Sequence, residues 1–256
     1  PFGHYKIKET EVSNGYKIDT KVYEVNINEE AEIVEITSKE KVIENHISLL
    51  KQYDYIDGQT AFLNAEADVK FEIYYPSGEL YKTITTNEHG YANILMPYGV
   101  WKFHQVNTHT GFEKIYDFFV TVDKDSEEEQ YYNILNNKIA AYLKVIKKDL
   151  ETGKTIAIAN TKFRIFNKDT NQYVSQYVSG KVYDTFTTDD DGTFMTYLKL
   201  EAGNYKLVEV SSPKNYLLND AGLDFTIGED THYAYTTYGA IVTVEFYDKQ
   251  IKGIIE

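Results

Sequence analysis

The chain has 256 residues, 26 Lys+Arg against 40 Asp+Glu for a formal net charge of −14, no cysteine, and 24 tyrosines. The acidic balance argues against a nucleic-acid surface, which needs clustered Lys and Arg; the missing cysteine removes disulfides, thiolate metal sites and cysteine nucleophiles together. A hydrophobic fraction of 42% beside 26% charged residues belongs to a folded chain, about two domains long, and no run nears the ~18 apolar residues that a membrane-spanning helix needs.

Taken in chain order, strand signals dominate. Pro1-Phe2-Gly3-His4 lacks a signal-peptide pattern, so the sequence reads as an interior piece of something longer. Val69 to Tyr74 alternates apolar and polar residues at period two, as do Tyr142 to Lys147, Thr161 to Phe166, Tyr205 to Glu209 and Val242 to Phe246. Pro76-Ser77-Gly78, Glu88-His89-Gly90, Asp190-Asp191-Gly192 and Ala202-Gly203-Asn204 supply turns between such runs. Only Ile43 to Gln52 and Glu127 to Asn137 could be mistaken for short helices. Many short strands with regular turns predict an all-β sandwich or barrel.

The sequence also repeats itself. Thr85-Thr86-Asn87-Glu88-His89-Gly90 matches Thr187-Thr188-Asp189-Asp190-Asp191-Gly192. An amphipathic strand occurs three times, as Tyr5 to Glu9, Trp101 to Gln105 and Tyr205 to Glu209. Each is followed by a turn and an aromatic (Gly15-Tyr16, Gly111-Phe112, Asn215-Tyr216) and then by an apolar strand. Each unit is read as closing on an amide or acid, Asn45, Asn136 or Asp248, which lie 36, 31 and 39 residues beyond Glu9, Gln105 and Glu209. The expected organisation is a C-terminal part of a module over 1–46, full modules over 47–138 and 139–251, and a linker or the start of another module over 252–256.

In the last unit Leu143, Val145 and Lys147 share one strand face, as do Tyr205, Leu207 and Glu209, and Val242, Val244, Phe246 and Asp248. The apolar face must be the buried one, so Lys147, Glu209 and Asp248 point inward. A lone buried charge is costly unless paired, so the three are expected to meet. A buried lysine tends toward the neutral, nucleophilic amine, and a buried carboxylic acid can relay protons. Lys147 would then attack the side-chain carbonyl of Asp248, with Glu209 as the catalytic proton relay, giving an amide between the first and last strands and one water. The alternative is an unreacted salt-bridge triad, or strand-end charges that snorkel to solvent.

These residues resemble the CnaB, or SpaA-like, modules of Gram-positive surface proteins and pilins. The likeness rests on Lys147-Lys148-Asp149-Leu150-Glu151-Thr152-Gly153, Gly203-Asn204-Tyr205-Lys206-Leu207-Val208-Glu209, Pro213-Lys214-Asn215-Tyr216 and Asp248. It implies tandem prealbumin-like (inverse Ig-like) β-sandwiches and an intramolecular isopeptide bond made by Lys, Glu and Asn or Asp. Asp248 is similar to the family's aspartate variant, and Asn215 stands where the family has Gly. In the middle unit Lys51 and Asn136 face inward, but Gln105 occupies the acid's place, and an amide has no proton to relay. There Lys51 and Asn136 are expected to stay unlinked and bridged by Gln105. The first unit offers Glu9 and Asn45 but no lysine partner for them within the fragment, so an upstream segment or another chain is expected to supply it.

The six histidines show no metal-ligand spacing, the Asp189-Asp190-Asp191-Gly192 run reads as a hairpin turn rather than a calcium loop, and Asp123 to Glu129 reads as a solvated acidic loop, with weak calcium binding there as the minor alternative. No cofactor is expected. The reading is a structural stalk or shaft segment of an extracellular, cell-wall-anchored adhesin or pilin, not a turnover enzyme. Its expected partners are adjacent modules of the same longer chain. The alternative is an adhesin module whose exposed aromatics bind a host extracellular matrix protein or a glycan.

Overall fold

The computed structural model describes residues 1–57, 60–124, 126 and 128–253. Among them there is no helix and therefore none long and apolar enough to cross a membrane. Both segments that could pass for helices are strands, within Glu44–Asp57 and Gln130–Asn136. Two-residue periodicity decides this, because it puts every second side chain on the covered face. Residues 254–256 of the linker expected over 252–256, and residues 125 and 127 of the acidic loop, lie outside the described residues.

The chain divides into two compact units, one of residues 1–109 with 114–136 and one of residues 110–113 with 137–256. The first unit opens with two small antiparallel pairs, Gly3–Lys8 against Val22–Ile27 and Tyr16–Lys17 against Lys41–Val42. A two-sheet sandwich follows. In one sheet Glu44–Asp57 is the hub, parallel to Gln130–Asn136 and antiparallel to Thr60–Ala65 and Tyr91–Pro97. The other sheet runs Phe118–Val122, Gly99–Gln105, Lys70–Tyr74, Leu80–Thr85. Ile47, Leu49, Phe71, Ile73, Met96, Phe103 and Val120 fill its core.

The second unit repeats this plan. Ala140–Asp149 is parallel to Gly239–Asp248 and antiparallel to Thr193–Met195 and Leu200–Glu201. Lys162–Asn167, Gly203–Ser211 and Leu223–Ile227 lie in the facing sheet. Leu143, Val145, Phe163, Ile165, Leu207 and Phe246 are fully or almost fully buried between them. A parallel pair needs a long crossover, and here nearly the whole sandwich lies between the two paired strands.

The repeated Thr-Thr-x-x-x-Gly run has a structural task in both units. The carbonyl of Gly90 accepts the backbone N–H of Lys51, and that of Gly192 accepts the N–H of Lys147, at 2.8 and 3.0 Å. Both glycines have positive φ, and a Cβ would come within 2.3 Å of the Lys51 carbonyl oxygen at Gly90 and within 2.0 Å of the Ile156 carbonyl oxygen at Gly192. The asparagine in place of glycine also has a conformational reason. Asn215 has φ 71°, close to 88° and 87° at Gly15 and Gly111, and Asn tolerates that left-handed region better than other non-glycine residues. Asn215→Ala is expected to lower stability by about 1–2 kcal/mol and Asn215→Gly to leave it nearly unchanged, as measured by urea denaturation; equal losses would contradict a conformational role.

Candidate functional site

At the far end of the paired parallel strands of the second unit, Lys147, Glu209 and Asp248 come together inside the sandwich, 0%, 3% and 1% exposed. Their positions follow from register. Lys147 lies opposite Phe246, and Asp248 is two residues further along, opposite Asp149. Glu209 arrives from the facing sheet, where it pairs with Phe163. Lys147 Nζ is 2.7 Å from Glu209 Oε1 and in direct contact with Asp248 Oδ1. The rings of Phe246 and Phe163 lie 4.2 and 5.3 Å from the ammonium, closing the site with apolar surface.

Among the described residues, Lys147 Nζ, Glu209 Oε1 and both Asp248 carboxyl oxygens have no partner with regular hydrogen-bond geometry. Buried polar atoms are usually satisfied, so this cluster is poorly satisfied as an unreacted ionic network. Burial pushes the Asp248 carboxyl up to about 7, with Lys147 opposing and Glu209 adding to the rise. The shift favours the neutral acid, which is more open to attack by an amine than a carboxylate is.

The motif residues around this triad brace the chain. Asp149 Oδ1 accepts the N–H groups of Glu151 and Thr152 and the Thr152 hydroxyl, and Asp149 Oδ2 accepts the Tyr216 hydroxyl at 3.1 Å. These bonds, led by those from Thr152, hold the Asp149 carboxyl below its usual range. The Asp189 to Gly192 run closes a hairpin through Gly192 N–H to the Asp189 carbonyl and Asp189 N–H to the Thr193 carbonyl. No cluster of three potential metal-ligating side chains occurs among the described residues.

The three amphipathic strands share one further bond. The last polar side chain of each accepts the backbone N–H ten residues on: Glu9 from Asp19, Gln105 from Ile115 at 3.1 Å, and Glu209 from Asn219 at 2.9 Å. Gln105 is thus the positional counterpart of Glu209, and it pairs with Phe71 as Glu209 pairs with Phe163. Gln105 does not, however, bridge Lys51 and Asn136 as its inward position had suggested. Its amide is spent on the loop that follows, accepting from Ile115 and donating to the Asn107 carbonyl.

The partner of Lys51 is Glu66, a residue that the strand pattern had not singled out. Lys51, Glu66 and Asn136 are 0%, 4% and 0% exposed. Lys51 Nζ donates to Glu66 Oε2 at 2.7 Å and to the Gln52 carbonyl at 2.7 Å, and Asn136 Nδ2 donates to Glu66 Oε2 at 3.4 Å. Burial pulls the Lys51 ammonium below its ordinary pKa, against the opposing pull of Glu66.

Asn45 is not at the closing position expected for the first segment. It lies in the strand Glu44–Asp57 opposite Met96, buried, with its Oδ1 unpaired among the described residues. Pairing shows why. The aromatic of each post-strand turn pairs with the residue two places after the closing position: Phe112 with Lys138 after Asn136, Tyr216 with Gln250 after Asp248, and Tyr16 with Val42. This count puts Glu40, not Asn45, in the first segment's closing place. There its carboxyl is raised by desolvation and by a hydrogen bond with Glu9.

A family model described as SpaA, a prealbumin-like fold domain, matches residues 1–42 and 141–240. No curated protein matches in sequence. Among solved structures, the Bacillus anthracis TIE protein is similar at TM-score 0.51 and 24% identity, over 98% of this chain and 42% of that one. The chain thus spans less than half the length of that relative. The shaft pilin SpaA from Lactobacillus rhamnosus GG aligns at TM-score 0.33 and 20% identity over 83% of this chain and 100% of that one. GBS52, the minor pilin of Streptococcus agalactiae, aligns at TM-score 0.38 and 15% identity over 83% of this chain and 98% of that one.

Proposed function

We propose, from the premise that this chain belongs to the SpaA family of prealbumin-like fold domains, that it is a load-bearing shaft segment of a Gram-positive surface adhesin or pilin, displayed outside the cell and anchored to the wall. The observation that carries this reading is the buried triad of Lys147, Glu209 and Asp248 at the parallel strand pair. The organisation proposed is the end of one module over 1–46 and modules over 47–138 and 139–251, in series with further modules of the same longer chain. Its chemistry is a single self-reaction. Lys147 Nζ gives a proton to Glu209 and, as the neutral amine, attacks Cγ of protonated Asp248. The new C–N bond replaces one C–O bond: the Asp248 hydroxyl leaves as water with one proton relayed by Glu209, and the second proton shed by Nζ stays on Glu209. The bond happens once per molecule, so it is a maturation step and not turnover. It suits a shaft because it ties the strand entering the module to the strand leaving it.

Intact-mass and peptide-map analysis tests the reading. A branched peptide joining Lys147 to Asp248, one water lighter than its parts, is expected; separate linear peptides of full mass would refute the bond. A second reading, direct binding of a host matrix protein or glycan, draws on one hairpin that holds Tyr235 and Tyr238 at 75% and 78% exposure. Loss of ligand capture by a Tyr235→Ala/Tyr238→Ala double variant would favour it, and no capture by the parent chain would exclude it for the matrix proteins and glycans tested.

A further inference from the structure

We infer that the middle sandwich makes its own amide cross-link, between Lys51 and Asn136, and that Glu66, on a different strand connection from Glu209, is the catalytic carboxyl. This deepens the shaft reading and rests on it for the chemistry, but it stands on separate residues and a separate geometry.

Register carries the first part. Lys51 lies opposite Ile134, and Asn136 is two residues further along, opposite Tyr53. The second unit has the same parallel offset between Lys147 and Asp248. Both lysines are fixed at the backbone by the glycine of the same turn motif, Gly90 and Gly192. The backbones of lysine and acceptor thus keep the same register in both sandwiches, and Lys51 and Asn136 are both fully buried.

The second part is an exchange of the acid between two places. In each sandwich the lysine's backbone carbonyl accepts an N–H from the chain that crosses beside it, from Glu66 in one and from Ile156 in the other, at 2.9 Å in both. Where that crossing residue is Ile156, the acid comes from the facing sheet as Glu209. Where it is Glu66, the facing-sheet position holds Gln105. Besides the acceptor on the last strand, each buried lysine thus meets one carboxyl, brought by the facing sheet in one sandwich and by the crossing chain in the other. Glu66 is also the better organised of the two. Its Oε1 accepts the Thr108 hydroxyl at 3.1 Å and the His109 N–H at 2.5 Å, which leaves Oε2 aimed at Lys51 and Asn136.

Glu66 touches both reacting nitrogens, so it can do what a proton relay must do. Lys51 gives one proton to Glu66 Oε2 and becomes a neutral amine. Its lone pair attacks Asn136 Cγ. The C–Nδ2 bond breaks, and Nδ2 takes up the Glu66 proton together with the second proton shed by Nζ. One amide and one ammonium ion result, with the Glu66 carboxylate restored and no other reactant needed. Asn136 Oδ1, unpaired among the described residues, is the oxygen on which charge builds during attack.

The measurement is peptide mapping by mass spectrometry of the whole 256-residue chain. The parent is expected to yield a branched peptide joining Lys51 to Asn136, one ammonia lighter than its parts, beside the Lys147–Asp248 branch that is one water lighter. Glu66→Gln should abolish the ammonia-loss branch and keep the water-loss branch, while Glu209→Gln should do the reverse. If Glu66→Gln does not fold, Asn136→Asp keeps the shape and should convert the middle branch from ammonia loss to water loss. Linear Lys51 and Asn136 peptides in the parent would overturn the inference whether or not the Lys147 branch is present. A surviving Lys51–Asn136 branch in Glu66→Gln would overturn the role of Glu66.

Discussion

Glu209→Gln is expected to leave the chain one water heavier and to lower the melting temperature of the second sandwich by on the order of 20 °C. The cross-link from Lys147 to Asp248 closes a loop of about 100 residues, for which the chain-entropy model gives ~4.7 kcal/mol. In a domain of roughly 100 residues each kcal/mol moves the melting temperature by about 4–8 °C. The isosteric amide keeps the packing around Phe163 and Phe246, so lost cavity volume contributes little. Differential scanning calorimetry on the mass-checked sample is the measurement. Pulled at its ends, the parent sandwich should withhold the ~100 residues between the joined strands, whereas the variant should release on the order of 340 Å at ~3.4 Å per residue. A variant that gains the water but melts and extends like the parent would remove the mechanical rationale.

The second large effect separates Glu66 from Gln105 in the middle sandwich. Glu66→Ala removes the carboxyl that accepts from Lys51, Thr108, His109 and Asn136, leaving a buried ammonium uncompensated. Breaking a buried pair from one side costs about 3–5 kcal/mol, and a lost cross-link adds to that. Gln105→Ala unpairs only the Ile115 N–H and the Asn107 carbonyl, at about 1–3 kcal/mol for each group that stays unsatisfied. The chain's one tryptophan, Trp101, is buried in this sandwich, so its fluorescence follows this module alone during urea unfolding. With a slope of ~1–3 kcal/mol per molar urea, the Glu66 variant should unfold at least about 1 M earlier than the parent. A larger shift for Gln105→Ala would mean that the amide position is the organising one.

The two sites differ in how far they could be read beforehand. Lys147, Glu209 and Asp248 each end a run of alternating apolar residues on a strand face, so period two alone turns all three inward. Lys51 and Asn136 were legible on the same ground. Glu66 follows the strand Thr60–Ala65 and precedes Asp68 at φ 59°. It lies off any alternation, and nothing in Asn64-Ala65-Glu66-Ala67-Asp68 marks it as buried. The closing position of the first segment is hidden from the sequence for a related reason. The spacing of the other units points to Asn45, whereas the pairing of Tyr16 with Val42 points to Glu40.

By itself the sequence determined the all-β architecture, the repeat and the inward lysines, because each follows from local periodicity and from turn residues with fixed conformational demands. Only the tertiary structure decided which carboxyl meets which lysine. That depends on strand register and on loops crossing between sheets, where residues far apart in the chain meet and an off-pattern side chain such as Glu66 is shut away from water by neighbours that no local window contains.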